Sequence, residues 1–351
     1  MHNNYLIIMA GGVGSRFWPM STAQKPKQFL DILNVGQTML QQTVERFNNC
    51  CPVSNIFVVT SEKYKALVKE QVPELDDSQI LLEPCMRNTA PCIAYAVWKI
   101  KKRNPLANIV VSPSDHLVVN VQEFERVIKH GLDFTATNEA LLTLGIKPHK
   151  PETGYGYIKQ VPETETSASE IKKVEAFKEK PTIEVAQEYV ANGNYYWNSG
   201  IFLWSASAIE KAIRSYLPEL ANIFDTIETS LDNDQEHAAI QQHFPTCPNI
   251  SVDYGIMEHA PNIYVYPSDF GWSDMGTWGS LHELASKTKE SNVLKGNIRT
   301  FETSNSIIRI DTNKKVVVQG LNGYIVVETN EALLICKREE EQRIKEFQAD
   351  L

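Results

Sequence analysis

Between Tyr5 and Ile146 the sequence alternates short, wholly apolar runs with longer amphipathic stretches. The runs YLIIMA, NIFVVT, QILLEP, NIVVSPS and ALLTLGI are apolar at successive positions rather than at every second one. A strand of that kind must be covered on both faces, which is the condition of a parallel sheet with helices on either side. The stretches between them fit those helices. Leu40, Val44 and Phe47 share a face over Gln37 to Asn48, and Ile93, Val97 and Ile100 do so over Thr89 to Arg103. The expectation is an open, Rossmann-like α/β sheet, with ligands at the carboxyl ends of its strands.

The pattern changes twice. From Tyr155 to about Ser286, extended pieces (YGYIKQ, IKKVEAFKEK, YYWNSGIFLW, NIYVYPS) alternate with helices such as Ser205 to Tyr216, as antiparallel additions to the same sheet would. After Asn292 the helical periodicity stops. Short Ile/Val-rich segments (SIIRI, KVVVQG, GYIVVE, ALLICK) recur with Asn, Gly or Asp between them, before a charged tail helix from about Glu339. A small β appendage is expected there. The chain of 351 residues is longer than the ~150 typical of one domain, so it divides into a catalytic domain over 1–286 and a C-terminal β domain with a terminal helix over 287–351.

Charge and cysteine content exclude several functions. Lys and Arg number 34 against 43 Asp and Glu, and no long basic run is present to neutralise a phosphate backbone, so nucleic acid is not an expected partner. The six cysteines show no CxxC pair and no His spacing suited to zinc, and are read as reduced, structural thiols. The sequence enters YLIIMAGG with no basic leader, and no apolar run approaches the ~20 residues of a membrane span. Cytoplasm is the expected location.

The chemistry begins at Ala10-Gly11-Gly12-Val13-Gly14-Ser15-Arg16, directly after the first strand. Glycines there allow positive φ and a close approach of backbone N–H groups to an anion, and a helix starting just beyond would add its positive end. Phe17 occupies the place of the third glycine of GxGxxG, and no GxxxxGK[ST] is present, so neither the dinucleotide fingerprint nor the P-loop applies. Arg16 and Lys27 flank the loop and suit a triphosphate, although surface cations are more often merely solvated.

These residues, with FWPMS and PKQF, resemble the signature of the sugar-nucleotide pyrophosphorylases, and FWP and PKQF resemble their mannose-1-phosphate guanylyltransferase branch. Further matches follow in family order: EP…RNTAP (83–91), PSDH (113–116), TGYGYI (153–158), FKEKP (177–181), WNSGIF (197–202), SVDYGIME (251–258) and WSDMG (272–276). The resemblance implies the nucleotide-diphospho-sugar transferase α/β fold, with a mixed, mainly parallel sheet and a short tail like a left-handed β-helix. It also implies an activity: transfer of GMP from GTP to α-D-mannose 1-phosphate, giving GDP-mannose and pyrophosphate.

Residue by residue, it assigns Ala10, Gly11, Gly12, Gly14, Ser15, Arg16, Lys27, Glu83, Arg87, Asn88, Thr89, Ser114 and Asp115 to the nucleotide. Gly154, Tyr155, Gly156, Glu179, Lys180 and Asn198 go to the sugar phosphate. Asp115 and Asp274 become ligands of Mg²⁺, with Mn²⁺ as a substitute. Arg16, Lys27, Asp115, Lys180 and Asp274 form the catalytic set.

The residues allow the same reading on their own terms. Asp115 follows an apolar strand, where a hard oxygen ligand is expected, though such a carboxylate can also cap a turn. Asn88 or Thr89 can start a helix as well as meet a ligand. Trp197, Tyr195 and Tyr196 read as packing, and His116 as a supporting neighbour of Asp115. A sugar phosphate is already an anion, so in-line displacement needs positioning and charge neutralisation rather than a nucleophilic triad. The alternatives are a relative specific for another nucleotide or sugar 1-phosphate, and a non-catalytic nucleotide-sugar sensor, against which Asp115, Asp274, Arg16, Lys27 and Lys180 together speak. The phosphomannose isomerase domain that follows the transferase in some relatives has no room before Leu351. A homodimer is left open.

Overall fold

The computed structural model of the chain describes residues 2–12, 14–162 and 169–349. It divides into two compact units that interleave along the sequence: Met1–Gly11, Thr43–Ser114 and Val118–Trp272 in one, Gly12–Gln42, Asp115–Leu117 and Ser273–Leu351 in the other.

The first unit holds a nine-stranded sheet. Its strands are β1 (Asn4–Met9), β2 (Ile56–Ser61), β3 (Ile80–Glu83), β4 (Asn108–Pro113), β5 (Leu141–Ile146), β6 (Tyr157–Gln160), β7 (Lys172–Lys178), β8 (Tyr195–Ser205) and β9 (Ile263–Ser268), in the order β3-β2-β1-β4-β8-β5-β9-β7-β6. β1 to β4 are mutually parallel, as their apolar runs predict. β8 runs antiparallel between β4 and β5, and β7 antiparallel to β9, so only β8 and β7 oppose the common direction. The sheet is mixed and mainly parallel, as expected.

Its helices form where the periodicity places them. α1 (Met39–Phe47) buries Leu40, Val44 and Phe47, and α2 (Thr89–Arg103) buries Ile93, Val97 and Ile100. Each such side chain, fully withdrawn from water, contributes about 1.5–3 kcal/mol. α3 (Val121–Thr137) is started by Asn120, whose side chain accepts from the Glu123 N–H, and α4 (Ala206–Tyr216) by Ser205 accepting from Ala208. α5 (Pro218–Ile227) opens on a proline, which lacks the N–H that a first turn leaves unpaired. Among the described residues no helix is long and apolar enough to cross a membrane, and all six cysteines are unpaired thiols.

The second unit is built on coils. β10 (Val293–Lys295), β12 (Ile307–Ile310) and β14 (Tyr324–Glu328) stack in parallel, β11 (Asn297–Phe301) stacks on β13 (Lys315–Gln319), and β15 (Leu333–Lys337) closes the first sheet antiparallel. Ile307 pairs with Ile325, Asn297 with Lys315 and Ser304 with Asn322, a spacing of 18 residues, whereas Val293 pairs with Ile307 after only 14. This is the β-helix-like appendage that the recurrent Ile/Val segments imply. Its β12–β14 sheet is buried on both faces. Ile308, Ile310 and Val326 fill the coil, while Ile307, Ile325 and Val327 pack with Phe17, Met20 and Trp278.

Two expectations are corrected. No α-helix begins after the glycine loop: Ser15–Phe17 is a single 3₁₀ turn. Pro19 has no N–H to continue a helix, and its ring disfavours helical backbone at Trp18. The helix dipole assigned to the loop is therefore absent. The charged tail is also not one helix from Glu339. A 3₁₀ segment, Arg338–Arg343, precedes a short α7 (Ile344–Ala349). That tighter turn carries the Glu341 carboxylate to the Gly279 N–H at the start of α6 (Trp278–Leu284), at 2.7 Å.

Candidate active site

The residues singled out from the sequence fall into two sets, one within each compact unit. In the coil-bearing unit the organising group is Lys27. Its side chain stems from a 3₁₀ turn, Lys27–Phe29, and the residue is only 3 % exposed. The ammonium spends all three of its donors: 2.7 Å to the Asp115 carboxylate, and 2.9 Å to each of the backbone carbonyls of Asp274 and Met275. The alternative of a solvated surface lysine is thereby excluded.

Three of the expected residues are thus gathered on one cation. The turn that presents Asp274 is shaped for this. Met275 has φ +47° and donates its N–H to Ser273 Oγ, while the Asp274 carboxylate accepts the Gly276 N–H at 2.9 Å. A Cβ at Gly276 would lie 2.6 Å from that carboxylate, so only glycine lets it fold back. Gly14 is required in the same way. Its φ is +64°, and a Cβ there would stand 2.6 Å from Lys27 Cβ. Gln28, not singled out from the sequence, donates its amide to the Gly12 carbonyl and ties the loop to the PKQF segment.

Arg16, partly buried in the turn Ser15–Phe17, has no hydrogen-bond or ion-pair partner among the described residues. It therefore remains available to an anion. Val13 lies outside the described residues.

Burial alone would raise the Asp115 carboxyl, but the charges of Lys27 and His116 outweigh it and hold the group below the ordinary carboxylate range. Asp115 is thus an anion at neutral pH, and its side chain keeps 31 % exposure. Among the described residues no three His, Cys, Asp or Glu side chains converge on one point. A divalent cation that takes two carboxylates and completes its shell from phosphate oxygens and water still fits Asp115 and Asp274, both hard oxygen donors whose residues are tied to Lys27.

In the sheet unit, the chain leaves β1 through Ala10, whose N–H reaches the Val59 carbonyl and whose own carbonyl accepts from Thr60 Oγ1. A Cβ on Gly11 would stand 3.6 Å from the Glu83 carboxylate at the end of β3. Glu83 is 7 % exposed, and burial pushes its carboxyl up to about 7. Ser114, at the end of β4, gives its N–H to Met9 and takes the Thr43 hydroxyl on its carbonyl.

Asn88 caps α2 by accepting the Thr89 N–H at 2.9 Å. The Thr89 hydroxyl accepts the Val252 N–H at 2.9 Å, Ala90 N–H binds the Ile250 carbonyl, and Arg87 donates to the Pro245 carbonyl. Segment 87–90 is therefore stitched to 245–252, a long-range tie that helix-start signals could not announce.

That second segment leads to Asp253, which the sequence reading quoted in SVDYGIME without giving it a role. Asp253 opens a π-turn, Asp253–Met257, of the kind that recurs at functional sites. Its carboxylate accepts the Asn198 amide at 2.8 Å, and the Asn198 oxygen in turn accepts Thr143 Oγ1 and the Gly200 N–H.

Glu179, with a side chain 9 % exposed, pairs through Oε1 with Lys180 at 2.6 Å, while its Oε2 is buried without a hydrogen bond. A Cβ on Gly156 would stand 2.4 Å from that oxygen, so the TGYG glycine is what makes room for it. Tyr155 packs edge-on against Trp197 and Trp272, and Gly154 donates to the Glu152 carboxylate. Gly156, Glu179, Lys180 and Asn198 are therefore one cluster, with Asp253 as its unanticipated member.

Residues 5–291 match the nucleotidyl transferase family, and residues 296–351 match the mannose-phosphate isomerase/GMP-like β-helix domain. A mannose-1-phosphate guanylyltransferase of Escherichia coli K12 is 37 % identical over 350 residues, covering 97 % of this chain and 72 % of that protein. One from Salmonella typhimurium LT2 is 37 % identical over 352 residues, with the same coverage. Among solved structures, a mannose-1-phosphate geranyltransferase from Thermus thermophilus superposes with a TM-score of 0.88 at 27 % identity over 99 % of each chain.

Proposed function

The chain belongs to the nucleotidyl transferase family, among its mannose-1-phosphate guanylyltransferases, and from that premise we propose that it transfers GMP from GTP to α-D-mannose 1-phosphate, releasing pyrophosphate. The observation that carries this reading is the Lys27 cluster. A buried ammonium holds the Asp115 carboxylate at 2.7 Å and the backbone carbonyl of Asp274 at 2.9 Å, so two acidic residues far apart in sequence are tied to one cation.

In this reading the sugar phosphate oxygen attacks the α-phosphorus in line with the departing pyrophosphate, and no covalent intermediate with the protein is needed. Mg²⁺ on Asp115 and Asp274 would draw charge from the phosphate oxygens. Lys27, with its donors committed, holds the Asp115 carboxylate and the backbone of the turn that carries Asp274. Arg16 supplies a cation to the triphosphate, and the glycine loop gives it N–H groups at close range. Lys180, 57 % exposed at its side chain, can exchange Glu179 for the sugar phosphate. Because the nucleophile is already ionised, no residue is asked to remove a proton from it. A cytoplasmic location and the absence of a nucleic-acid partner belong to the same proposal.

Pyrophosphate release measured across GTP, ATP, UTP and dTTP, each with mannose 1-phosphate and glucose 1-phosphate, tests it. GTP with mannose 1-phosphate should give the highest kcat/KM. A clear preference for UTP or dTTP would overturn the assignment, since a base edge whose hydrogen bonds go unmet is discriminated strongly.

A further inference from the structure

The sugar-side cluster has a charge problem that its geometry brings into view. Gly156 lies against both Glu179 Oε2 and Asn198, and Asn198 holds Asp253. Two carboxylates thus stand around one ammonium, Lys180, which pairs with Glu179 and feels the charge of Asp253; with all three ionised the cluster carries a net negative charge. The Lys180 ammonium is already taken by Glu179 at 2.6 Å. A sugar 1-phosphate arrives as a dianion over most of the neutral range, its second pKa being about 6. Two carboxylates and a phosphate about one ammonium repel each other, and a like charge nearby disfavours the ionised form of a carboxyl.

Proton uptake is the low-cost solution, and Asp253 is the group placed to provide it. Burial, reinforced by the Glu179 charge, already lifts its carboxyl to about 6. About nine copies in ten are then ionised at pH 7 in the empty pocket. The titratable neighbours are Glu179 and Lys180 from the segment after β7, with Tyr254 and Glu258 on its own turn; Glu258 accepts the Glu179 N–H. Asn198, from β8, donates its amide to one Asp253 oxygen and so fixes the carboxyl beside Glu179 and Lys180.

We propose that Asp253 takes up one proton from solvent when mannose 1-phosphate binds, so that the pocket meets the phosphate with one carboxylate ionised instead of two. The inference rests on the assignment of Glu179, Lys180 and Asn198 to the sugar phosphate. It makes Asp253 a positioning residue. Its neutral form lowers the repulsion that the phosphate meets beside Lys180, and it supplies an O–H donor to a cluster in which Glu179 Oε2 lacks a hydrogen bond. The proton comes from bulk water or buffer and returns there on release, so the overall reaction is unchanged.

Titration calorimetry of mannose 1-phosphate into the full chain, with Mg²⁺ and an α,β-methylene GTP analogue present, gives the proton count when repeated in buffers of different ionisation enthalpy. At pH 7 the wild type should take up roughly one proton more than Asp253→Asn, and the difference should vanish near pH 5, where the empty pocket is already protonated. The phosphate's own titration is common to both proteins and cancels. Equal proton counts at pH 7 would overturn the inference while leaving the sugar assignment intact. No binding of mannose 1-phosphate to the wild type, together with no turnover, would sink the functional reading and this inference with it.

Infrared difference spectra of the wild type alone decide the matter if Asp253→Asn does not fold. A carboxylic-acid C=O band should appear on binding at pH 7, which a phosphate cannot produce, and its absence would refute the uptake.

Discussion

Replacing Lys27 by Met keeps an unbranched, largely apolar side chain one atom shorter and removes the ammonium with its charge and three donors. Breaking one partner out of a buried ion pair costs about 3–5 kcal/mol, because the other charge is left without compensation. Asp115 sits at the low end of that range, since its side chain is 31 % exposed and regains some water. Met fills most of the same volume, so no cavity term is added, and the carbonyls of Asp274 and Met275 lose charge-assisted bonds that water can partly replace. The expected loss is about 3 kcal/mol at pH 7.

The double variant Lys27→Met with Asp115→Asn should recover ~1–2 kcal/mol of it, because no uncompensated charge remains. The pH dependence has a definite sign. Asp115 is held below its unfolded value, so its contribution is present above pH ~4 and disappears as pH falls through the folded value. The gap between wild type and Lys27→Met should therefore narrow in acid. Urea unfolding at several pH values, with turnover measured on the same preparations, tests each step. A change below ~0.5 kcal/mol, or strict additivity in the double variant, would refute the view of Lys27 as an anchor for Asp115 and the turn that carries Asp274.

Two other outcomes are expected. Asp274→Asn should abolish most turnover and weaken Mg²⁺-dependent GTP binding while circular dichroism stays unchanged; near-normal activity would remove Asp274 from the metal set. Glu83→Gln should be more stable than the wild type at pH 8, by up to ~3 kcal/mol, and no more stable at pH 4, because a carboxyl raised to about 7 contributes stability that is lost as pH rises through that value; equal stability at both pH values in urea unfolding would contradict this.

The sheet was legible because buried parallel strands need unbroken apolar runs, and β1 to β4 coincide with the segments that carry them. The coil was legible for a related reason: β12 and β14 are covered on both faces, so IIRI and YIVVE read as core. Local signals failed where a distant partner decides the outcome. Nothing near Lys27 announces a buried ammonium, because its partners lie 88, 247 and 248 positions along the chain. Asp253 was passed over because its role arises only where β8 and the segment after β7 bring Asn198 and Glu179 to it. The lack of a helix after the glycine loop is itself written in the sequence, since Pro19 stands four residues after Ser15.

The interleaving of the two units also sets a clock. On a ribosome adding ~5–20 residues per second, Lys27 emerges roughly 12–50 s before Asp274 and Met275, whose carbonyls it must bond. Asp115 appears partway through that interval, so the nascent ammonium meets its carboxylate first and its carbonyls last. Throughout the wait, Phe17 and Met20 have neither Trp278 nor the coil strands to cover them. The early segment 12–42 is therefore an apolar, cationic stretch held open until Trp278 and the coil strands have been made, a window in which a chaperone has more time to act on it than on any strand of β1 to β4.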